Sequence, residues 1–256
     1  MLIAMAVHDT EDNNRTWMTE ATLRSLGRTV DLTVHRLIVI DNGSCAATLD
    51  LYRQLRKEHE IRFELIRNEL NIGTAKAVNL GWKHRLPGEH CVKMDNDVTV
   101  NQSSWVDQME EVFEVDPKIG ICGLKRKDLA ESPFSEGHFK SSIRMLPHEK
   151  GHRWLIVEDV ENVMGTCQAY NSLLLDKIGY LVQPGVYGFD DVLSSLRARL
   201  AGFDRVFLHG FDIDHIDPGG SPYSQWKIAE AGKNWKNYQS QALLYESGVI
   251  PIYHED

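Results

Sequence analysis

Cys91-Val92-Lys93-Met94-Asp95-Asn96-Asp97-Val98-Thr99-Val100 is the stretch on which the reading of this chain turns. A strand-like apolar run ends in two carboxylates separated by one residue. Side chains alternate along a strand, so Asp95 and Asp97 are expected on the same side if extended geometry persists. Two like charges that close raise each other's pKa unless a cation sits between them. A divalent metal held by hard oxygen ligands, with phosphates completing its shell, is the chemistry such a pair suits. Taken alone, the same residues also make an ordinary polar turn, which Asp and Asn favour for their own reasons. The surrounding sequence has to decide.

Upstream, Leu2 to Val7 is a continuous apolar run, as expected of a strand buried on both faces of a parallel sheet, and it stops at the polar His8 to Asn14. A helix follows with Trp17, Met18, Ala21, Leu23 and Leu26 at three- and four-residue spacing, closing at Gly27. His35 to Ile40 is a second strand ending at Asp41-Asn42-Gly43-Ser44, and Ala46 to Glu58 a second helix with Leu49, Tyr52 and Leu55 on one face. Arg62 to Ile66 is a third strand, followed by Arg67-Asn68 and a turn to Gly73. Thr74 to His84 then reads as a helix with Ala75, Val78 and Trp82 inward. Successive strand–loop–helix units predict βαβ crossovers and a parallel sheet. The ligand crevice of such a sheet lies outside the carboxyl ends of its strands. Asp9, Asp41, Asn68, Asp95 and Asp97 all fall at those ends and are expected along one rim.

Downstream the pattern is less regular. Trp105 to Val115 is helical with Val106, Met109 and Phe113 as a buried stripe, Pro117 ends it, and Ile119 to Leu124 resumes the sheet. Lys125 to Arg153, with Pro133, Gly137, Pro147 and Gly151, has no clear period; so long a loop in a compact domain is usually functional or mobile. Trp154 to Val157 and Val160 to Val163 are expected to pair as strands, and Leu175 to Gly179 to form a short helix. Asp190-Asp191 opens a helix that ends at Gly202, where a carboxylate caps free N–H groups whether or not it has another task. Val206 to Leu208 makes another strand. Phe211 to Asp217 places His215 among acids. The tail from Ser221 to Asp256 is expected to be helical over Tyr238 to Tyr245 and to pack on the main body.

The totals narrow the function classes. With 256 residues, 42% hydrophobic and 25% charged, the chain has an ordinary globular composition and length enough for one sizeable α/β domain. A net charge of -9 argues against holding nucleic acid through a broad basic face, and the Lys125-Arg126-Lys127 triplet reads as a solvated loop. The cysteines Cys45, Cys91, Cys122 and Cys167 include no CxxC pair, which points to a reduced, cytoplasmic compartment. The N-terminal apolar run is too short for a signal sequence, and no stretch approaches the roughly 18 apolar residues of a membrane span.

The order of the motifs resembles the GT-A fold glycosyltransferases, in particular the inverting family 2. Ala6-Val7-His8-Asp9-Thr10 resembles the nucleotide-contacting loop after the first strand, and Val39-Ile40-Asp41-Asn42-Gly43-Ser44 a strand whose Asp contacts the base. Asn71-Ile72-Gly73 through Asn79-Leu80-Gly81 is similar to the segment that precedes the metal motif, and Asp95-Asn96-Asp97 to the DxD motif itself. Asp190-Asp191 before Arg197-Ala198-Arg199-Leu200-Ala201-Gly202 matches the family's acidic pair and basic helix, and His215 its late metal-binding histidine. The resemblance spans about Leu2 to His215. The chain departs from the pattern in having Val7 where Pro is commoner, and Asp190-Asp191 in place of Glu-Asp.

What the resemblance implies is an α/β fold of the GT-A type, a Rossmann-like, mostly parallel sheet flanked by helices in a single domain. Residues 1–220 would be the catalytic domain, with a nucleotide-binding half over 1–100 and an acceptor half over 101–220. Residues 221–256 would be a helical tail packed on it. The implied activity is metal-dependent inverting transfer of a sugar from a nucleotide-diphosphate sugar, a UDP-sugar first among them. The acceptor would be a hydroxyl of a saccharide, a glycoconjugate or a hydroxymethylated DNA base. Asp95, Asp97 and His215 would hold Mn²⁺ or Mg²⁺, with Asp95 acting through water or on the ribose. Nucleotide contacts fall to Val7, Asp9, Asp41, Asn68, Gly73, Lys76, Asp95 and Asn96. Asp191, with Asp190 beside it, would be the catalytic base, kept ionised by the helix dipole and relying on position more than on pKa. Two other readings stand beside this one: a nucleotidyltransferase of related fold that makes a nucleotide-sugar, although its Gly-rich phosphate loop is absent from His8 to Asn14, and a non-catalytic carbohydrate- or nucleotide-binding module.

Overall fold

The computed structural model describes residues 1–58, 61–128, 142–220 and 222–255. In chain order, β1 (Leu2–Val7), α1 (Thr16–Thr29), β2 (Arg36–Asn42), α2 (Ala46–Glu58), β3 (Glu64–Asn68), α3 (Thr74–Trp82) and β4 (Cys91–Met94) form the first half. Then come β5 (Val98–Val100), α4 (Trp105–Val115), β6 (Ile119–Arg126), β7 (Ser142–His148), β8 (Arg153–Asp159), β9 (Cys167–Tyr170), α5 (Ser172–Ile178), α6 (Asp190–Leu200), β10 (Asp204–His215) and α7 (Pro222–Glu246).

The strands lie in one sheet in the order β3-β2-β1-β4-β9-β6-β10-β8-β7, with β5 pairing β10. The β3-β2-β1-β4 half is parallel throughout, as the buried apolar runs predict, and β6 runs parallel to β10. Between these two parallel blocks β9 is inserted antiparallel to both β4 and β6. Alternation along β1 explains the layers: Ile3, Met5 and Val7 join one core with α1, α2 and α4, while Leu2 and Ala4 join the other with α3 and α5. The second layer packs tightly. A Cβ on Gly81 of α3 would lie 2.9 Å from both Ala4 Cβ and Ile40 Cδ1, so only glycine lets this helix sit on β1 and β2.

Two expectations change in detail, and part of a third lies outside the described residues. The hairpin partner of β8 is β7, in register from Ser142↔Asp159 to His148↔Arg153, whereas Val160 and Val163 are core residues outside any strand. Part of the 125–153 loop, residues 129–141 with Pro133 and Gly137, lies outside the described residues. The tail helix is a single 25-residue element rather than a short one. Its sequence shows no helical stripe because it packs through few positions: Tyr245 is buried against Leu193 of α6, with Leu196, Tyr238 and Ala242 alongside.

Arg197 explains part of the basic helix motif. Fully buried, it donates from Nε to Ile252 O (2.8 Å), from Nη1 to Tyr180 O (2.8 Å) and from Nη2 to Ile178 O. A cation at the C-terminus of α5 meets carbonyls left without helical partners, and the same side chain ties the C-terminal segment to the body.

Candidate active site

The carboxyl edge of the parallel strands collects the acidic residues. At the β1 end, Asp9 is buried and accepts from Thr19 Oγ1 (2.6 Å), Asn96 Nδ2 (3.0 Å) and Thr48 Oγ1 (3.3 Å). Burial raises its pKa, with the Thr19 bond and Arg15 opposing. Asp9 thus joins its loop to α1, α2 and the Asp95–Asp97 turn from inside the protein. Asp41 is likewise buried, with Ser44 N at 3.3 Å and the Tyr52 hydroxyl donating at 3.4 Å. Asn42 gathers the end of β3 and the loop before α3: its Oδ1 accepts from Asn68 Nδ2 and Ile72 N, both at 3.1 Å, and its Nδ2 donates to Asn71 Oδ1 at 2.7 Å. Gly73, at φ 93°, starts α3, and Lys76 is exposed on its first turn. Val7 is buried in β1 and forms part of the core.

At the centre the extended geometry stops at Met94. A turn separates β4 from β5, so Asp95 and Asp97 do not share partners as continuous strand alternation would have it. Asp97 is carried toward β10: Ile216 N donates to Asp97 O (2.9 Å), and His215 pairs with Val98 in the antiparallel β5–β10 ladder. Ligand atoms of Asp97, His215 and Asp217 all lie within 4.8 Å of one another, with His215 Nε2 at 3.5 Å from Asp97 Oδ2. Asp97 is 4% exposed, and its Oδ1 is buried with no hydrogen-bond partner. Its other oxygen is crowded by cations: Arg15 Nη2 at 2.5 Å and Lys227 Nζ at 3.6 Å. Asp217 Oδ2 meets the same two, Arg15 Nη1 at 2.7 Å and Lys227 Nζ at 3.0 Å. Burial alone would raise Asp97, but the His215 hydrogen bond and the Lys227, His215 and Arg15 charges outweigh it and hold Asp97 well below the carboxylate range. Asp217 is brought down to about 2, burial again being outweighed by Lys227 and Arg15.

Asp95 turns the other way, to Lys93. This lysine is 3% exposed within β4, donates to Gly165 O (2.8 Å), and lies 3.4 Å from Asp95 Oδ1 and 3.1 Å from Asp190 Oδ2. Burial pushes Asp95 up to about 6 despite Lys93. Asp190 and Asp191 open α6 after Phe189, which sits in the left-handed region at φ 68°. Asp191 accepts from Val192 N (2.9 Å) and Gly165 N (3.1 Å). Burial, then the adjacent Asp190 charge, raise its pKa above the ordinary carboxylate value. The helix dipole therefore does not dominate at this position. Desolvation wins, and the carboxylate is a stronger base than its place at a helix start suggests.

The structure thus brings Asp97 and His215 together, links Asp95 through Lys93 to Asp190, and ties Asn96 to Asp9. Asp217, Arg15, Lys227 and Lys93 are not among the metal, nucleotide or catalytic residues expected from the sequence. A signal existed for two of them. Asp217 follows His215 at strand spacing, and a lysine inside the apolar Cys91–Met94 run must find a buried anion. Arg15 stands in a polar loop with no pattern around it, and Lys227 belongs to a helix without amphipathic period. The Lys125-Arg126-Lys127 triplet carries its own acids: Lys125 with Glu158 (2.9 Å), Arg126 with Asp128, and Lys127 with Asp214 (2.9 Å).

Carboxylates and an imidazole converging on one point, with a buried unpaired oxygen among them, can hold a hard divalent cation. The fold is similar to that of several solved proteins. One is the mannosyltransferase PcManGT from Pyrobaculum calidifontis in complex with GDP-Man and Mn²⁺, at 16% identity and TM-score 0.67 over 94% of this chain and 63% of that one. Another is S. aureus TarS 1-349 in complex with UDP-GlcNAc, at 17% identity and TM-score 0.58 over 86% and 61%. A third is GalNAc-T7 with UDP, GalNAc and Mn²⁺, at 13% identity and TM-score 0.61 over 84% and 43%. The chain thus spans about three fifths or less of the length of these proteins. A comparison with curated protein sequences gives no match. Residues 14–179 match the model of the family described as glycosyl transferase family 2.

Proposed function

The chain belongs to glycosyl transferase family 2, and from that premise we propose that it is a metal-dependent, inverting glycosyltransferase that takes its sugar from a nucleotide-diphosphate donor. The observation that carries this reading is the meeting of two acidic groups at one sheet edge: Asp97, His215 and Asp217 within 4.8 Å, and Asp190-Asp191 joined to the Asp95 turn through buried Lys93. The three solved structures named above support it, since each holds a nucleotide or nucleotide-sugar and two hold Mn²⁺.

Asp97, His215 and Asp217 fit a divalent cation, because Asp97 Oδ1 is buried and unpaired among them. Asp217 replaces Asp95 in this set, with Asp95 serving the ribose or a water. Mn²⁺ or Mg²⁺ bound there would stabilise the diphosphate as negative charge grows on it. Asn68, Gly73 and Lys76 would contact the nucleoside along the rim, with fully buried Asp41 behind it, while Asp9 and Asn96 hold that rim in shape. Asp191 removes the proton from the acceptor hydroxyl as its oxygen attacks the anomeric carbon opposite the leaving diphosphate; the new bond forms as the old one breaks, and configuration inverts. Its pKa, raised by burial and the adjacent Asp190, makes it a stronger base than an ordinary carboxylate. The acceptor is a saccharide or glycoconjugate hydroxyl. The paired state of Lys125, Arg126 and Lys127 gives a DNA acceptor no support. Among the described residues no helix is long and apolar enough to cross a membrane.

The experiment is a panel of UDP- and GDP-sugars with Mn²⁺ and simple saccharide acceptors, following nucleoside diphosphate release and the anomeric configuration of the product by NMR. Release from one donor with inverted product supports the reading. Nucleotide binding without turnover of any donor, or a retained configuration, would overturn it.

A further inference from the structure

Arg15 and Lys227 have no part in the account above, yet both place full charges on the two carboxylates proposed for the metal. Arg15 spans them, with Nη2 on Asp97 and Nη1 on Asp217, and Lys227 lies 3.0 Å from Asp217 and 3.6 Å from Asp97. The arrangement is built rather than incidental. The Arg15 side chain is 4% exposed, and both cations lie against the Tyr223 ring, 4.6 Å from its centroid for Arg15 Cζ and 5.0 Å for Lys227 Nζ. Tyr223 and Lys227 both come from the first turns of α7, while Arg15 precedes α1. Trp226 continues them by stacking on Tyr223 at 5.4 Å and leaning on Tyr187 at 5.7 Å.

Charge balance says what this pair is for. Asp97 and Asp217 carry two negative charges, and Arg15 and Lys227 cancel them. A divalent cation entering the same carboxylates leaves two positive charges uncompensated in a largely buried space, where like charges are costly. The diphosphate diester of a nucleotide-sugar carries the two negative charges that restore neutrality. We propose that Arg15 and Lys227 bind the donor's diphosphate, and that until it arrives they latch Asp97 and Asp217, so that metal and nucleotide enter cooperatively. This rests on the glycosyltransferase reading of the site.

Linkage fixes the test, because each ligand must change the other's affinity by the same factor. Mn²⁺ binding to the full chain is read from the EPR signal of free Mn²⁺, and UDP and GDP binding by calorimetry, each with and without the other ligand. In the wild type, Mn²⁺ binds at least about tenfold more tightly with the preferred nucleotide present. Lys227→Met, at a helix position whose side chain is 19% exposed, tightens Mn²⁺ binding in the absence of nucleotide and weakens nucleotide binding in the absence of Mn²⁺. Arg15→Gln does the same where it folds. These opposite shifts are not produced by a merely structural role. Unchanged nucleotide affinity in Lys227→Met, or unchanged or weaker Mn²⁺ affinity, overturns the latch while leaving the glycosyltransferase reading intact. A wild type that binds neither UDP nor GDP under any condition overturns that reading itself, and the latch with it.

Discussion

Lys93 Nζ lies 3.1 Å from Asp190 Oδ2, a contact between a central strand and the start of α6 that joins the two halves of the site. Both side chains are almost completely shielded from water, at 4% and 9% exposure. Removing one member of a buried ion pair leaves the other charged and unsolvated, at a cost of about 3–5 kcal/mol. Lys93→Met is therefore expected to lower the melting temperature by several degrees, and to do so more than Lys227→Met does. Scanning calorimetry of the two variants checks this. Equal stabilities would show that Lys93 is dispensable to the joint.

The base is tested by Asp191→Asn. The amide keeps the size and its one oxygen still accepts from Val192 N, giving up only the bond from Gly165 N, so the helix start should survive. Loss of general-base assistance predicts a fall of about 10²–10⁴-fold in kcat with little change in nucleotide affinity. Unchanged turnover would remove Asp191 from the mechanism.

Asp190 makes a pH prediction. Its charge is the second contribution, after burial, that raises Asp191. A base works only above its pKa, so the acidic limb of kcat against pH should lie above the ordinary carboxylate range. Asp190→Asn takes away the neighbouring negative charge, lowers Asp191, and should move that limb to lower pH. A pH–rate profile of the two proteins decides; a limb that stays in place contradicts the assignment.

Stability should depend on acid through Asp217. Its folded pKa of about 2 lies below the unfolded value, so the ionised carboxylate stabilises the fold above the unfolded pKa. That contribution is lost as pH falls through the folded value. Lys227→Met should raise the folded pKa and flatten the loss between about pH 4 and 2. Urea titrations across that window, comparing variant with wild type, measure the difference.

Close packing offers a prediction independent of the chemistry. Gly81→Ala puts a methyl 2.9 Å from Ala4 Cβ and Ile40 Cδ1. Overpacking of this kind costs about 1–3 kcal/mol and should appear as a lower urea midpoint with an unchanged slope.

Most of the fold was legible because it follows local periodicity. The apolar runs at Leu2–Val7 and Arg36–Ile40 and the stripe through Trp105, Val106, Met109 and Phe113 fix strands and helices from neighbours in sequence. The β7 partner of β8 was not legible, since a hairpin whose outer face exposes Ile143, Met145 and Trp154 lacks the usual polar alternation. In the site, the order of motifs led to Asp97, His215 and Asp191. The turn after Met94, which sends Asp95 to Lys93, depends on β5 leaving β4 to pair with β10. That is a long-range choice, and no spacing within Cys91–Val100 reveals it. Arg15 and Asp217 are 202 residues apart and meet only in the folded chain.

The most direct test of the central claim is nucleoside diphosphate release from the preferred donor and acceptor, measured with Mn²⁺, after EDTA, and after Mn²⁺ is restored, for wild type and Asp97→Asn. The account predicts turnover that EDTA abolishes and Mn²⁺ restores in the wild type, and turnover lost under all three conditions in Asp97→Asn. Equal turnover with EDTA, or wild-type turnover in Asp97→Asn, would contradict it.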